Sequence, residues 1–191
     1  MTRFFGAMAS EWDTRADHPG RLEPLYKALD AVERHPRHVL DIGCGTGAAA
    51  LALSERFPDA WVEGIDISEQ MIAEARRKAR EYGAAVQFDV ACGDRLETDD
   101  HSIDLVVLMN ALPAFGEISR VLTEHGSAVV VFSAGQSTPF YSKPGRLRRG
   151  FARNGMDELA SGTAGSGEFF VAGRRERALS AQADGSESVW L

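Results

Sequence analysis

Asp41 stands two residues ahead of the first of three alternating glycines, Gly43, Gly45 and Gly47, and a second acid, Asp66, follows Gly47 by nineteen residues. Around Asp41 lie Val39, Leu40 and Ile42. The string VLDIGCGTG therefore reads as a buried strand that turns sharply into a helix through a loop nearly free of side chains. Such a loop brings backbone N–H groups and a helix N-terminus close to a nucleotide-type ligand. A carboxylate at Asp41 repels a pyrophosphate but favours a ligand carrying ammonium and sulfonium cations. Asp66 can accept hydrogen bonds from both hydroxyls of a ribose, its charge strengthening each bond. A dinucleotide fingerprint can also be laid on Gly43, Gly45 and Ala48. That reading asks for a further catalytic domain, for which 191 residues leave little room.

Periodicity supplies the elements that must position these groups. Leu22, Leu25, Leu29 and Val32 recur at helical steps and are closed off by His35 and Pro36. After the glycine loop an alanine- and leucine-rich helix runs to Pro58, and residues 60–66 read as a second strand. Ser68 is placed to cap the next helix, which runs through Met71, Ala75 and Ala79 to Gly83. Residues 86–90 alternate as a third strand, and the apolar run after Asp104 reads as a fourth, buried on both faces. A short helix through Phe115, Ile118, Val121 and Leu122 is expected to end at Gly126, with a fifth strand over 127–132. Residues 133–145 read as a loop, and Leu147 and Phe151 share a helical face that ends at Gly155. Two strands, near 156–163 and 168–173, are joined by a glycine-containing link that suggests a hairpin, so one of them runs antiparallel to the rest. Alternating strands and helices give an α/β, doubly wound, mostly parallel sheet with a C-terminal antiparallel hairpin strand.

Composition narrows the function class. Hydrophobic and charged fractions of 44% and 26% are those of an ordinary globular domain. A net charge of −7 argues against a dedicated nucleic-acid binder, although Lys143, Arg146, Arg148, Arg149 and Arg153 form a local basic stretch. Cys44 and Cys92 form no CxxC pair, so no metal site is expected. No run is long enough for a transmembrane helix, and Glu11 and Asp13 make the N-terminus a poor signal peptide. Cytoplasmic residence is the default expectation. We expect one domain over 1–177, with 1–36 as a helical cap segment and 178–191 as a flexible tail.

The motif with Asp41, its preceding apolar strand and GCGTG resembles the first motif of class I S-adenosylmethionine-dependent methyltransferases. The resemblance spans roughly residues 4–174 and is closest to the small group that includes quinone-biosynthesis enzymes. It implies a Rossmann-like sheet of seven strands, S-adenosylmethionine as cofactor, S-adenosylhomocysteine as product and a small-molecule methyl acceptor. It places Asp41, Gly43, Cys44, Gly45 and Gly47 in the cofactor loop, Asp66 on the ribose and Ile67 against the adenine, and it matches Met71 to an apolar contact in the following helix, a position that core packing explains equally. Gly93, Asp94 and Arg95 match the family's Gly-Asp step beside the adenine amino group, and Asn110 matches a residue beside the methionine portion. Asn110-Ala-Leu-Pro departs from the Asn/Asp-Pro-Pro-aromatic motif of base-amine methylation. The segment FFGAMASEWD, with Phe5 and Trp12, resembles a stretch that closes over the substrate. His18, Asp13 and Tyr141 are candidates for a general base because they lie in segments expected to cover the site. Two other readings remain open at this stage, a non-catalytic S-adenosylmethionine-binding partner and a nucleic-acid methyltransferase.

Overall fold

The computed structural model describes residues 20–174. Phe5, Trp12, Asp13 and His18 and the tail 178–191 lie outside the described residues. Seven strands form one sheet: β1 (His38–Ile42), β2 (Trp61–Asp66), β3 (Val86–Val90), β4 (Ile103–Met109), β5 (Leu122–Phe132), β6 (Met156–Ala164) and β7 (Gly167–Arg174). Their order is β3-β2-β1-β4-β5-β7-β6. The first five pair in parallel, while β7 runs antiparallel to both β5 and β6. Gly165, at φ +54°, allows the tight turn between β6 and β7.

Successive strand residues point to opposite faces, and two cores result. On one face Val39, Val107, Val129 and Val171 pack under α1 (Glu23–Leu29), α2 (Ala48–Arg56) and α3 (Glu69–Tyr82). On the other, Leu40, Val106, Val130 and Phe170 pack under α4 (Phe115–Val121) and α5 (Pro144–Ala152). Asp41 alternates with Leu40 and Ile42, so it falls on the α2 face. The helix α1 is shorter than its apolar spacing suggests, because the amides of Ala31 and Val32 bond back only three residues and close a turn.

The largest departure from the sequence reading lies at Gly126. The helix α4 stops at Val121, and β5 starts at Leu122, five residues before the expected strand. Leu122 pairs with Ile103, the register then shifts, and Ser127 meets Leu105. A Cβ at Gly126 would lie 2.9 Å from Leu122 Cδ2 and 3.1 Å from the Ile103 carbonyl oxygen. The glycine thus permits a bulged strand to close on β4, and it does not end a helix.

Candidate functional site

Because β1 is followed by β2 on one side and has β4 on the other, the chain reverses its direction of winding at β1. Open α/β sheets leave a crevice at the carboxyl ends of such strands. Here that crevice is a cleft of about 310 Å³, lined by the ends of β1, β2 and β4 and by the loops that follow them.

The glycine loop is built by backbone conformation. Gly43, Gly45 and Gly47 all have positive φ, at +72°, +54° and +87°, which L side chains rarely adopt. The loop amides are committed inward. Gly43 and Cys44 both donate to the Ile65 carbonyl, and Gly47 donates to that of Cys44. The Gly45 amide donates to Asp66 Oδ2 at 3.0 Å. This differs from a phosphate cradle, where several such amides point at the ligand. Gly47 does not line the cleft, contrary to the sequence reading. A Cβ there would stand 2.8 Å from Phe88 Cζ and 3.1 Å from Ala75 Cβ, so its smallness serves packing between α2, α3 and β3.

Asp41 lines the cleft yet is wholly buried, and neither carboxylate oxygen has a hydrogen-bond partner. Burial pushes its carboxyl up to about 7. The Ala50 amide, a first-turn donor of α2, opposes this without reaching hydrogen-bond geometry to either oxygen, and the charge of Asp66 adds to the rise. Burial likewise raises the neighbouring Cys44 thiol, chiefly by desolvation and further by Asp41 and Asp66. A buried carboxylate with no donor is costly when ionised, and a cationic ligand in the cleft relieves that cost.

Asp66 is anchored differently. Its Oδ1 accepts from the Ser68 amide at 2.9 Å and its Oδ2 from the Gly45 amide at 3.0 Å. Each oxygen keeps a further acceptor site, so the carboxylate is oriented and still able to bind. Next to it Ile67 is 45% exposed, an apolar platform on the cleft wall. Ser68 caps α3, its hydroxyl accepting from the Met71 amide, and the cap sets Met71 into the cleft floor. Gly93 and Asp94 form the facing wall. A Cβ on Gly93 would fall 2.5 Å from Ile42 Cγ2, so only glycine lets this loop approach the end of β1.

Of three further positions, Arg95 and Tyr141 lie away from the cleft lining, while Asn110 is in it as expected. Arg95 does not line the cleft; its amide closes a turn on the Cys92 carbonyl, and its charge adds to the lowering of the Glu117 carboxyl that the Arg120 guanidinium and the Leu96 amide mainly produce. Asn110 lines the cleft, but its amide group is committed to Ser133, donating to Oγ and accepting from the backbone N–H, each at 2.9 Å. With φ +58° it pins the end of β4 to that of β5. Tyr141 is absent from the cleft lining; its ring packs on Phe132 and its hydroxyl donates to Glu168 at 2.8 Å. Burial and the Glu168 carboxylate raise its pKa, which disfavours it as a base.

The cleft also gathers residues that sequence reasoning missed: Arg21, Thr46, Leu112 and Phe140. Leu112, 51% exposed just beyond β4, is an apolar side chain left at a strand end, the one signal the sequence offered. Arg21 and Phe140 arrive through tertiary path alone. The basic stretch lies along α5, with Leu147 and Phe151 buried and Arg148 paired to Glu158. Among the described residues no cluster of three His, Cys, Asp or Glu could hold a metal, and no helix is long and apolar enough to cross a membrane.

The profile of the family described as a methyltransferase domain matches residues 39–129. Demethylmenaquinone methyltransferase of Thermus thermophilus is 39% identical over 113 residues, which cover 55% of this chain and 51% of the relative. The enzyme of the same name from Deinococcus radiodurans is 31% identical over 146 residues, covering 73% and 61%. The chain thus spans about half the length of the curated relatives it matches. Among solved structures, a SAM dependent methyltransferase from Aquifex aeolicus is similar with a TM-score of 0.71 at 18% identity, over 86% of this chain and 97% of that one. This last likeness is one of fold.

Proposed function

We propose that this chain is a class I S-adenosylmethionine-dependent methyltransferase, a reading supported by the family match and the relatives, and that it binds S-adenosylmethionine in the cleft and passes its methyl group to a small molecule. The observation that carries this reading is the pair of acids in one cleft, Asp41 with no hydrogen-bond partner and Asp66 with both oxygens oriented by backbone amides. The first asks for a cation and the second for hydroxyls, and the cofactor has both. A dinucleotide accounts for neither the buried acid nor the inward loop amides.

In this reading Asp66 accepts from the ribose hydroxyls, Ile67 and Met71 hold the adenine between apolar surfaces, and Asp94 accepts from its amino group. Asp41 takes the ammonium group. Gly45 leaves room for close approach, since a Cβ there meets no protein atom within 4 Å. When bound, S-adenosylmethionine supplies a methyl group already activated on a sulfonium, for transfer by in-line displacement. The residues of this chain then contribute position and exclusion of water. Leu112, Phe140 and Arg21, which line the cleft and are not used by the cofactor in this reading, form the wall against which an acceptor is held. Small-molecule acceptors are favoured by the quinone-directed names of the relatives and by the acidic chain.

The test is a panel of candidate acceptors, among them phenols, quinols, carboxylic acids and amines, incubated with methyl-labelled cofactor and the full chain. Label should pass to one chemical class, and that transfer should fall at least tenfold in Leu112→Ala if the wall is correctly placed. Cofactor binding without transfer to any of them points instead to a non-catalytic partner protein.

A further inference from the structure

We infer that cofactor binding in this chain is an exchange, in which the cationic ligand enters the cleft and Asp41 gives up a proton. The inference rests on the proposed cofactor reading and adds a step to it. Its basis is geometric. The Asp41 carboxylate is fully buried at the end of β1, lines the cleft, and has no hydrogen-bond partner on either oxygen, the Ala50 amide of α2 being a nearby donor short of hydrogen-bond geometry. An ionised carboxylate so placed lacks the hydrogen bonds that normally repay its desolvation. Before ligand arrives, the neutral acid is the favoured form near neutral pH, in keeping with a carboxyl pushed up to about 7. An ammonium group supplies charge and donors together, so the bound state favours the carboxylate, and the proton passes to the buffer.

None of the surrounding titratable groups is hydrogen-bonded to Asp41. Asp66, from the end of β2, adds negative charge but has a donor on each oxygen. The Cys44 thiol is raised by burial and stays neutral. Arg21, ahead of α1, and Asp94, beyond β3, line the same cleft. The neighbouring residues of β4 and α2 are Val107, Met109, Ala49 and Ala50, none of which titrates.

The sign follows from linkage. Ligand selects the deprotonated form, so affinity rises with pH until Asp41 is ionised without help and then levels off. Titration calorimetry of the full chain with S-adenosylhomocysteine, repeated in buffers of different ionisation enthalpy, counts the protons released. At pH 6.5 roughly 0.8 proton should leave per ligand bound, and the dissociation constant should tighten roughly eightfold from pH 6 to pH 7.5. Asp41→Asn, of the same shape, should release none and show a flat pH profile. A protonated-carboxyl infrared band in the ligand-free chain at pH 6.5, absent in Asp41→Asn and lost from the native chain on saturation, supports the exchange even where the variant binds too weakly for calorimetry. Tight binding with no proton release, or a carboxyl band that persists at saturation, overturns the exchange and leaves the cofactor site intact. Failure of S-adenosylhomocysteine to bind overturns both.

Discussion

Asp66→Ala should abolish most of the rise in melting temperature that S-adenosylhomocysteine gives the native chain. At a ligand concentration a hundred times the dissociation constant, binding stabilises the fold by about 2.7 kcal/mol. In a domain of this size that corresponds to a shift of roughly 5–10 °C. Two charge-assisted hydrogen bonds to ribose hydroxyls contribute about 1.5–3 kcal/mol each, so their loss weakens binding by roughly a hundredfold or more and leaves a shift of a degree or two. The substitution also releases the amides of Gly45 and Ser68, which Asp66 holds in place. The variant's own ligand-free melting temperature should therefore fall, and the shift is read against that baseline. Asp66→Asn, which keeps the shape and one acceptor, should fall between the two. A full shift in Asp66→Ala places the ribose elsewhere.

The second large effect separates the glycines of one loop by what their missing side chains leave open. Gly45→Val puts a branched side chain at φ +54°, where the strain costs about 1–2 kcal/mol, and projects it where no protein atom lies within 4 Å. Folding survives that cost, while affinity for S-adenosylhomocysteine should drop more than about a hundredfold, because the side chain and the ligand claim the same space. Gly83→Val is the control, since it has a similar φ of +64°, open space around its Cβ and a place at the end of α3 away from the cleft. It should show the same modest loss of melting temperature and an unchanged ligand shift. Gly47→Val should fail in a third way. Its Cβ meets Phe88 and Ala75, so overpacking adds about 1–3 kcal/mol to the strain and the fold itself weakens. Equal affinity in Gly45→Val and Gly83→Val contradicts the loop geometry proposed for the ligand.

The parts of the fold legible in the sequence are those set by local rules. The strand of Val39 to Ile42, the capping Ser68, the helix end at Gly83 and the terminal hairpin each rest on residues adjacent in the chain, and each has its expected counterpart. Gly126 misled because a glycine after a helical pattern has two uses. Its role here depends on Ile103, a residue of another strand, which periodicity does not see. The site divides the same way. Asp41 and Asp66 announce themselves by type and spacing at strand ends. Arg95 and Tyr141 sit beside cleft residues in sequence, but neither lines the cleft: Arg95 follows a turn closed on the Cys92 carbonyl, and Tyr141 turns toward the Glu168 carboxylate from a distant segment. Arg21 and Phe140 enter the cleft for the converse reason, brought there by the packing of α1 and the path after β5. The charge state of Asp41 was legible only in part, since its residue type was plain but its lack of a hydrogen-bond partner is a property of the folded chain.

The most direct test of the cofactor assignment is a competition titration on the full chain at neutral pH, with S-adenosylmethionine as the first ligand and a nicotinamide dinucleotide as the challenger. The two acids and the inward loop amides predict one S-adenosylmethionine per chain, displaced by S-adenosylhomocysteine and indifferent to the dinucleotide. Saturable binding of the dinucleotide, or no binding of S-adenosylmethionine at millimolar concentration, contradicts the assignment.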